Sequence, residues 1–228
     1  MSQRSQRRRR TDTEPAIPPP QWGDASCLEP VRELNERFLD LLARAARLDG
    51  EHCQLDIVRL HLDLWLGLPD AIRVRAAQFP FLLVNVHFER DEWWQQSADG
   101  HSDNGTVLSN VLPRKLAIEL MHDALLLAWH IARSNSTANV LLAMSPGVAT
   151  AVANLRLCDI RRLAQSQHRH LRPRWEQLPL FWRHLLHAAG SSDGDAIDNL
   201  RVHGVQMIDT ASFSLAPNPG SSRPLPTK

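Results

Sequence analysis

The sequence predicts an all-α protein, a helical bundle of long amphipathic helices that carries short segments of helix-turn-helix size. Three observations predict it. Along two long stretches apolar residues recur at intervals of three and four, which places them on one stripe of a helix. Ser, Asp, Gly and Pro fall between the periodic stretches, where they act as caps and stops. Only Phe81 to Phe88 suggests extended chain, and there Leu82, Leu83, Val84 and Val86 suit a short strand or another helical turn equally.

The elements follow in order. Residues 1–26 hold the arginine run Arg7 to Arg10 and Pro15, Pro18, Pro19 and Pro20, a composition too polar and stiff to pack, and are expected to be a disordered arm and polyproline spacer. A first helical unit, residues 27–96, opens on Val31, Leu34, Phe38, Leu41, Ala45 and Leu48, with Asp49-Gly50 as the stop. A central helix is expected from about Gln54 to Leu66, broken by Gly67-Leu68-Pro69 and followed by a short helix from Asp70 to Gln78. Residues 97–112, rich in Ser, Asp, Gly and Asn, read as a linker.

The second unit, residues 113–190, opens with a helix striped by Ala117, Leu120, Ala124, Leu127 and Ile131 and widened by Leu116, Met121, Leu125 and Ala128. Ser134-Asn135-Ser136 interrupts it before Thr137 to Ala143 resumes. Ser145-Pro146 starts a helix to about Leu155, because serine caps orphan amides and proline at the first helical position loses no hydrogen bond. Asp159 fits as a cap or first-turn acid for a helix from Ile160 to Gln167, and Leu178 to Ala189 forms another amphipathic helix. In the tail, residues 191–228, only Leu200 to Ile208 is expected to order.

Lys and Arg number 26 against 25 Asp and Glu, so any polyanion contact must come from local clustering of charge rather than from the net value. Three cysteines at wide spacing, Cys27, Cys53 and Cys158, give neither a disulfide framework nor a thiolate metal cage and suggest a reducing, cytoplasmic setting. The basic start lacks the apolar run of a signal peptide, and no stretch reaches the roughly 20 apolar residues of a membrane span, so a soluble protein is expected.

Catalytic motifs are missing: there is no Gly-x-Ser-x-Gly, His-Glu-x-x-His or glycine-rich phosphate loop, and no enzyme or cofactor is expected. His184 and His187 lie one helical turn apart, with His168 and His170 nearby, but no third ligand has a recognisable spacing and no metal site is assigned. His122 and His130 read as polar helix residues. Trp93, Trp94, Trp175 and Trp182 suit core anchoring better than base stacking.

The concentrated basic surface is the strip Arg156, Arg161, Arg162, Arg169, Arg172 and Arg174, interleaved with Gln165 and Gln167 and opposed by Asp159 and Glu176. Arginine forks pair bidentately with phosphate oxygens, and arginine or glutamine can read base edges from a helix in the major groove. The candidate DNA-binding residues are therefore Arg161, Arg162, Gln165, Gln167, Arg169, Arg172 and Arg174. The arm cations Arg4 and Arg7 to Arg10 could also track a phosphate backbone, as flexible arms do, or be merely solvated.

An internal repeat is also visible. Glu33-Leu34, Leu39, Leu41, Ala46 and Arg47 line up with Glu119-Leu120, Leu125, Leu127, Ala132 and Arg133. Leu66-Gly67-Leu68-Pro69-Asp70 parallels Ala143-Met144-Ser145-Pro146-Gly147, with Trp93 and Trp175 as aromatic end markers. Two readings stay open: a tandem pseudo-dimer, or chance alignment of leucine-rich helices.

Over about a quarter of the chain the second unit resembles the flagellar transcriptional regulator FlhD family. The resemblance is carried by Leu125-Leu126-Leu127-Ala128, by Leu142-Ala143-Met144-Ser145-Pro146-Gly147-Val148-Ala149, by Leu155 and Leu157, by Ile160-Arg161-Arg162-Leu163-Ala164-Gln165-Ser166, and by the strip Leu171-Arg172-Pro173-Arg174-Trp175. It implies an all-helical transcriptional activator subunit that binds promoter DNA in a homo- or hetero-oligomer, with a zinc-bearing FlhC-like partner, and recruits RNA polymerase. Leu171 stands where members commonly place a linking cysteine, so the inter-chain disulfide is not implied here. From another class, a helical adaptor or anti-activator that binds only protein is the alternative.

Overall fold

The computed structural model describes residues 25–96, 107–134, 139–191 and 194–214. Helices dominate, joined by one antiparallel pair of two-residue strands. Helix α1, Ala25–Asp49, buries the expected stripe through Val31, Leu34, Phe38, Leu41 and Ala45. It ends at Gly50, whose φ of +53° is the left-handed stop that glycine adopts without strain.

The central helix expected over Gln54 to Leu66 is instead two short ones, α2 at Asp56–Arg59 and α3 at Leu62–Leu66. The chain leaves helical backbone at His61, and the Trp65 indole donates to the carbonyl of Ile57 at 2.8 Å, satisfying the acceptor that the break would orphan. The break also leaves Leu60 and Leu66 facing solvent. Helix α4, Asp70–Ala77, follows Pro69; residues 78–83 then run outside any helix to strand β1, Val84–Asn85, and helix α5, Asp91–Gln96. The ambiguous stretch thus holds a two-residue strand within non-helical chain that bends on either side of it.

The arm 1–24 and residues 97–106 lie outside the described residues. The C-terminal part of the expected linker is not a connector: Val107–Val111 forms helix α6, and Leu108 and Leu112 are buried in the core. Helix α7, Arg114–Ser134, carries the predicted stripe, and a short helix α8, Asn139–Leu142, leads to helix α9, Pro146–Ala153. Helix α10 spans Leu157–Gln167, starting three residues before Ile160, and strand β2 is Arg172–Pro173. Helices α11, Pro179–Gly190, and α12, Gly194–Ser214, complete the fold. Only Leu200 to Ile208 was expected to order in the tail; α12 is longer because a thin stripe of Ile197, Gly204 and Ile208 suffices to seat it. The tail from residue 215 lies outside the described residues. No helix among those described is long and apolar enough to cross a membrane.

The two expected units do not bury separate cores. One apolar cluster runs from Val31 to Ile208, and at its centre Trp182 meets Phe38 at 6.2 Å and Trp65 at 6.3 Å between ring centroids. Contacts between the halves are reciprocal. Helix α4 lies on α1 as α9 lies on α7; α11 crosses to pack on α4, and α5 crosses to pack on α9. Strands β1 and β2 set Val84 opposite Pro173 and Asn85 opposite Arg172.

Beyond each strand the match continues, although the acceptors of the two indoles are offset by one residue. His87 and Trp175 both adopt left-handed backbone, at φ 58° and 53°. The Trp94 indole donates to the His87 carbonyl at 3.1 Å, and the Trp182 indole to the Arg174 carbonyl at 3.0 Å. On the long helices, Arg37 pairs with Asp123, the residue that the alignment of Glu33 with Glu119 sets opposite it. A contact from i to j matched by one from j to i is the pattern that an isologous interface also has. The aromatic markers shift register: Trp94, not Trp93, answers an aromatic of the other half, and that aromatic is Trp182 rather than Trp175.

Candidate nucleic-acid interface

Helices α9 and α10, joined by residues 154–156, rest on α7. Ser145 caps α9 by accepting from the Val148 amide at 3.1 Å, worth about 1 kcal/mol. Its own N–H donates to the Phe88 carbonyl at 3.0 Å, and its hydroxyl donates to the Asp91 carboxylate, so α5 helps hold the start of α9. The turn is fixed by the Trp129 indole, which donates to the Leu155 carbonyl at 2.8 Å. Val148, Ala149, Val152, Ile160 and Ala164 are buried beneath the pair.

That packing sets the rotation of α10. With Ile160 and Ala164 inward, the spacing of Cys158, Arg161, Arg162 and Gln165 places all four on the opposite, exposed face. Arg156 and Arg169 flank this face at its two ends, and both are exposed. Asp159 is the carboxylate of the stretch. It accepts the Arg156 backbone N–H at 3.3 Å and the Arg156 guanidinium at 2.8 Å, and lies 3.8 Å from Arg162. The Arg156 side chain beside it draws its carboxyl down to about 2. With the helix starting at Leu157, Asp159 is its first-turn acid, at the third position, rather than the residue that caps it. The surplus on the exposed face is cationic.

Three of the predicted DNA-binding residues do not belong to it. Arg174 is 5% exposed; its guanidinium donates to the carbonyls of Leu82 at 2.5 Å and Leu142 at 3.1 Å, and burial lowers it to about 10. Arg172 donates to Glu89 Oε1 at 3.2 Å and to His87 Nδ1 at 3.1 Å. Gln167 is buried and lines a small cavity together with Trp93, Trp94, Met121 and Leu125. The turn His168–His170 and β2 direct this part of the strip into the interface between the halves, where it meets the acceptors that Leu82, Leu142 and Glu89 present. Arg161, Arg162, Gln165 and Arg169 remain accessible, and the arm cations Arg4 and Arg7 to Arg10 lie outside the described residues.

Around Arg172 a small polar cluster is partly buried: His87 is covered, while the Arg172 and Glu89 side chains keep 17% and 18% of their surface exposed. Burial first, then the Arg172 charge, pushes His87 down to about 4, which keeps its ring neutral and able to accept from Arg172. Burial alone would raise the Glu89 carboxyl, but hydrogen bonds from its own backbone N–H and from Asn85, with His87 and Arg174 close by, hold it below its ordinary value.

Beside the exposed face, a groove of about 480 Å³ runs between α1, α7 and α10, lined by Arg37, Glu119, His122, Asp123, Arg161 and Gln165. Arg37 bridges Glu119 at 2.8 Å and Asp123, so the groove carries both signs of charge. Charge clustering alone missed this bridge; the alignment of the two long helices, which pairs Arg37 with Asp123, was the signal for it. His184 and His187 line a separate open groove with His203. Among the described residues no group of three His, Cys, Asp or Glu is arranged to hold a metal ion. Trp182 is a core anchor, and Trp93, Trp94 and Trp175 are partly covered within ring clusters. Comparison of the chain with protein-family models, with curated proteins and with solved structures returned no match.

Proposed function

We propose that this chain is a non-catalytic, FlhD-like subunit of a transcription regulator that contacts promoter DNA through α10. One observation carries the reading: a pair of short helices, buried on one side against α7, turns Arg161, Arg162 and Gln165 outward together, with Arg156 and Arg169 at the flanks. A helix so supported has the size and chemistry to enter a major groove, with guanidinium forks for phosphate and for guanine edges and an amide for adenine. By the resemblance, its working form is an oligomer with a zinc-bearing FlhC-like subunit that engages RNA polymerase.

The test is a salt titration of binding to duplex DNA by fluorescence anisotropy, for the chain and for the variant R161A/R162A/R169A. Each lost phosphate contact reduces the slope of log K against log salt by about 0.9, so the triple variant is expected to lose roughly 2–3 from the slope together with most of its affinity. An identical slope and affinity for both proteins would falsify direct contact. Exposed Leu157 beside Cys158, and Leu178 with Leu180 at the start of α11, favour the adaptor reading, in which the chain meets protein only. That reading predicts no salt-dependent DNA binding by either protein.

A further inference from the structure

We infer that each chain supplies one DNA-reading helix and covers one half-site, although its backbone has the reciprocal contacts of a dimer; the inference rests on the DNA-binding reading above. In a symmetric dimer the reading element occurs twice about the axis, so one dimer spans an inverted repeat with half-sites about 10 bp apart. Here the axis passes by Arg37 and Asp123 and between the paired positions of β1 and β2. What departs from symmetry is the path from the short helix to the strand.

In the second half, residues 154–171 form the turn, α10 and the turn His168–His170 between α9 and β2. In the first half, residues 78–83 go directly from α4 to β1. That shorter path cannot bulge outward as a helix, because Phe79, Phe81, Leu82 and Leu83 are wholly buried. Asn35 pins it: its amide donates to the carbonyls of Ala77 at 3.3 Å and Phe81 at 2.8 Å, and its oxygen accepts the Leu83 N–H at 2.8 Å. The helix alignment sets Asn35 opposite Met121, on the helix α7 that carries α10, where Met121, Leu163 and Gln167 line one small cavity.

Helix α12 then covers the place from outside. A Cβ on Gly204 would lie 2.4 Å from Phe81 Cζ, so the helix backbone sits directly on that ring. Arg201 reaches Gln78 at 3.5 Å and stands over the Phe79 ring. Two cations of this side are engaged with acids: Arg201 with Asp198 at 2.7 Å, and Arg73 with Asp70 at 3.0 Å and Asp40 at 3.5 Å. Among the described residues, the first half therefore offers no counterpart of the exposed α10 face. The partner that fits is a duplex read over less than one helical turn per chain, and inverted symmetry in a site would require a second chain.

The experiment is selection of the full chain on a random duplex pool, followed by mass measurement of the complex on the enriched duplex. One 25.8 kDa chain per enriched block is expected. When the block is doubled as an inverted repeat, the bound mass should double. A single chain spanning an enriched inverted repeat would overturn the inference and leave the DNA reading intact, and so would binding without any enrichment. If neither enriched nor unselected duplex is bound at low salt, the DNA reading itself falls and takes the inference with it.

Discussion

The two halves solve the same connection differently, and the contrast between Asn35 and Met121 shows how one side chain selects between them. An extended segment on a helix leaves backbone amides and carbonyls that must find partners away from water. Asn35, fully buried, supplies partners to Ala77, Phe81 and Leu83 at once. A helix satisfies its own backbone and asks its neighbour only for apolar contact, which α7, with Met121 and Leu125 buried, gives to α10. The half with the amide holds a buried strap. The half with the thioether holds a helix whose far side is free to carry charge.

The sharpest way to break this comparison is at Arg174, which belongs by composition to the basic strip and by position to the interface between the halves. Arg174→Met should cost about 3–5 kcal/mol in urea unfolding, since it strands the Leu82 and Leu142 carbonyls and removes a positive neighbour of Glu89. Arg161→Ala, on the exposed face, should stay within about 0.5 kcal/mol. Equal costs would mean that the division between inner and outer arginines is wrong.

Asn35→Leu comes next. It keeps the volume but leaves the three backbone groups unpaired, and a loss of about 3 kcal/mol is expected. Amide exchange at Leu83 should accelerate with it; unchanged exchange there would separate Asn35 from the strap.

The left-handed positions after the strands give a smaller and pH-dependent difference, because one holds His87 and the other Trp175. A histidine whose folded pKa is about 4 against 6.5 in the unfolded chain takes up its proton first on unfolding. Its contribution is intact above pH 6.5 and is lost as the pH falls toward 4, roughly 2–3 kcal/mol over that window. Arg172, Arg90 and His170 reinforce the depression, whereas Glu89 opposes it. His87→Asn, a residue that tolerates positive φ, should flatten this part of the stability curve. A curve of the same steepness in the variant would assign the acid sensitivity elsewhere.

Much of the scaffold was legible because it depends on local spacing. The stripes of α1 and α7, the stop at Gly50 and the start at Ser145-Pro146 each follow from residues within a turn or two of one another. The repeat was visible in the long helices, but spacing could not separate it from chance; the crossing of α5 onto α9 and of α11 onto α4 accords with it. Less was legible at the candidate site. Arg161, Arg162, Gln165 and Arg169 are exposed because of the period of their own helix, which the sequence contains. Arg172 and Arg174 are inward because Glu89, Leu82 and Leu142 wait for them far along the chain, and no local pattern records such partners. The break at His61 escaped for a similar reason, since an indole stands in for a backbone donor at Ile57.

The meeting of Phe38, Trp65 and Trp182 bears on how the polypeptide is made. A ribosome that has released α1 to α4 has delivered two walls of an aromatic chamber whose third wall, on α11, is still unsynthesised. The emerging first half must therefore wait with greasy surface uncovered until late in translation, and maturation is expected to be a single event that follows, rather than accompanies, most of elongation.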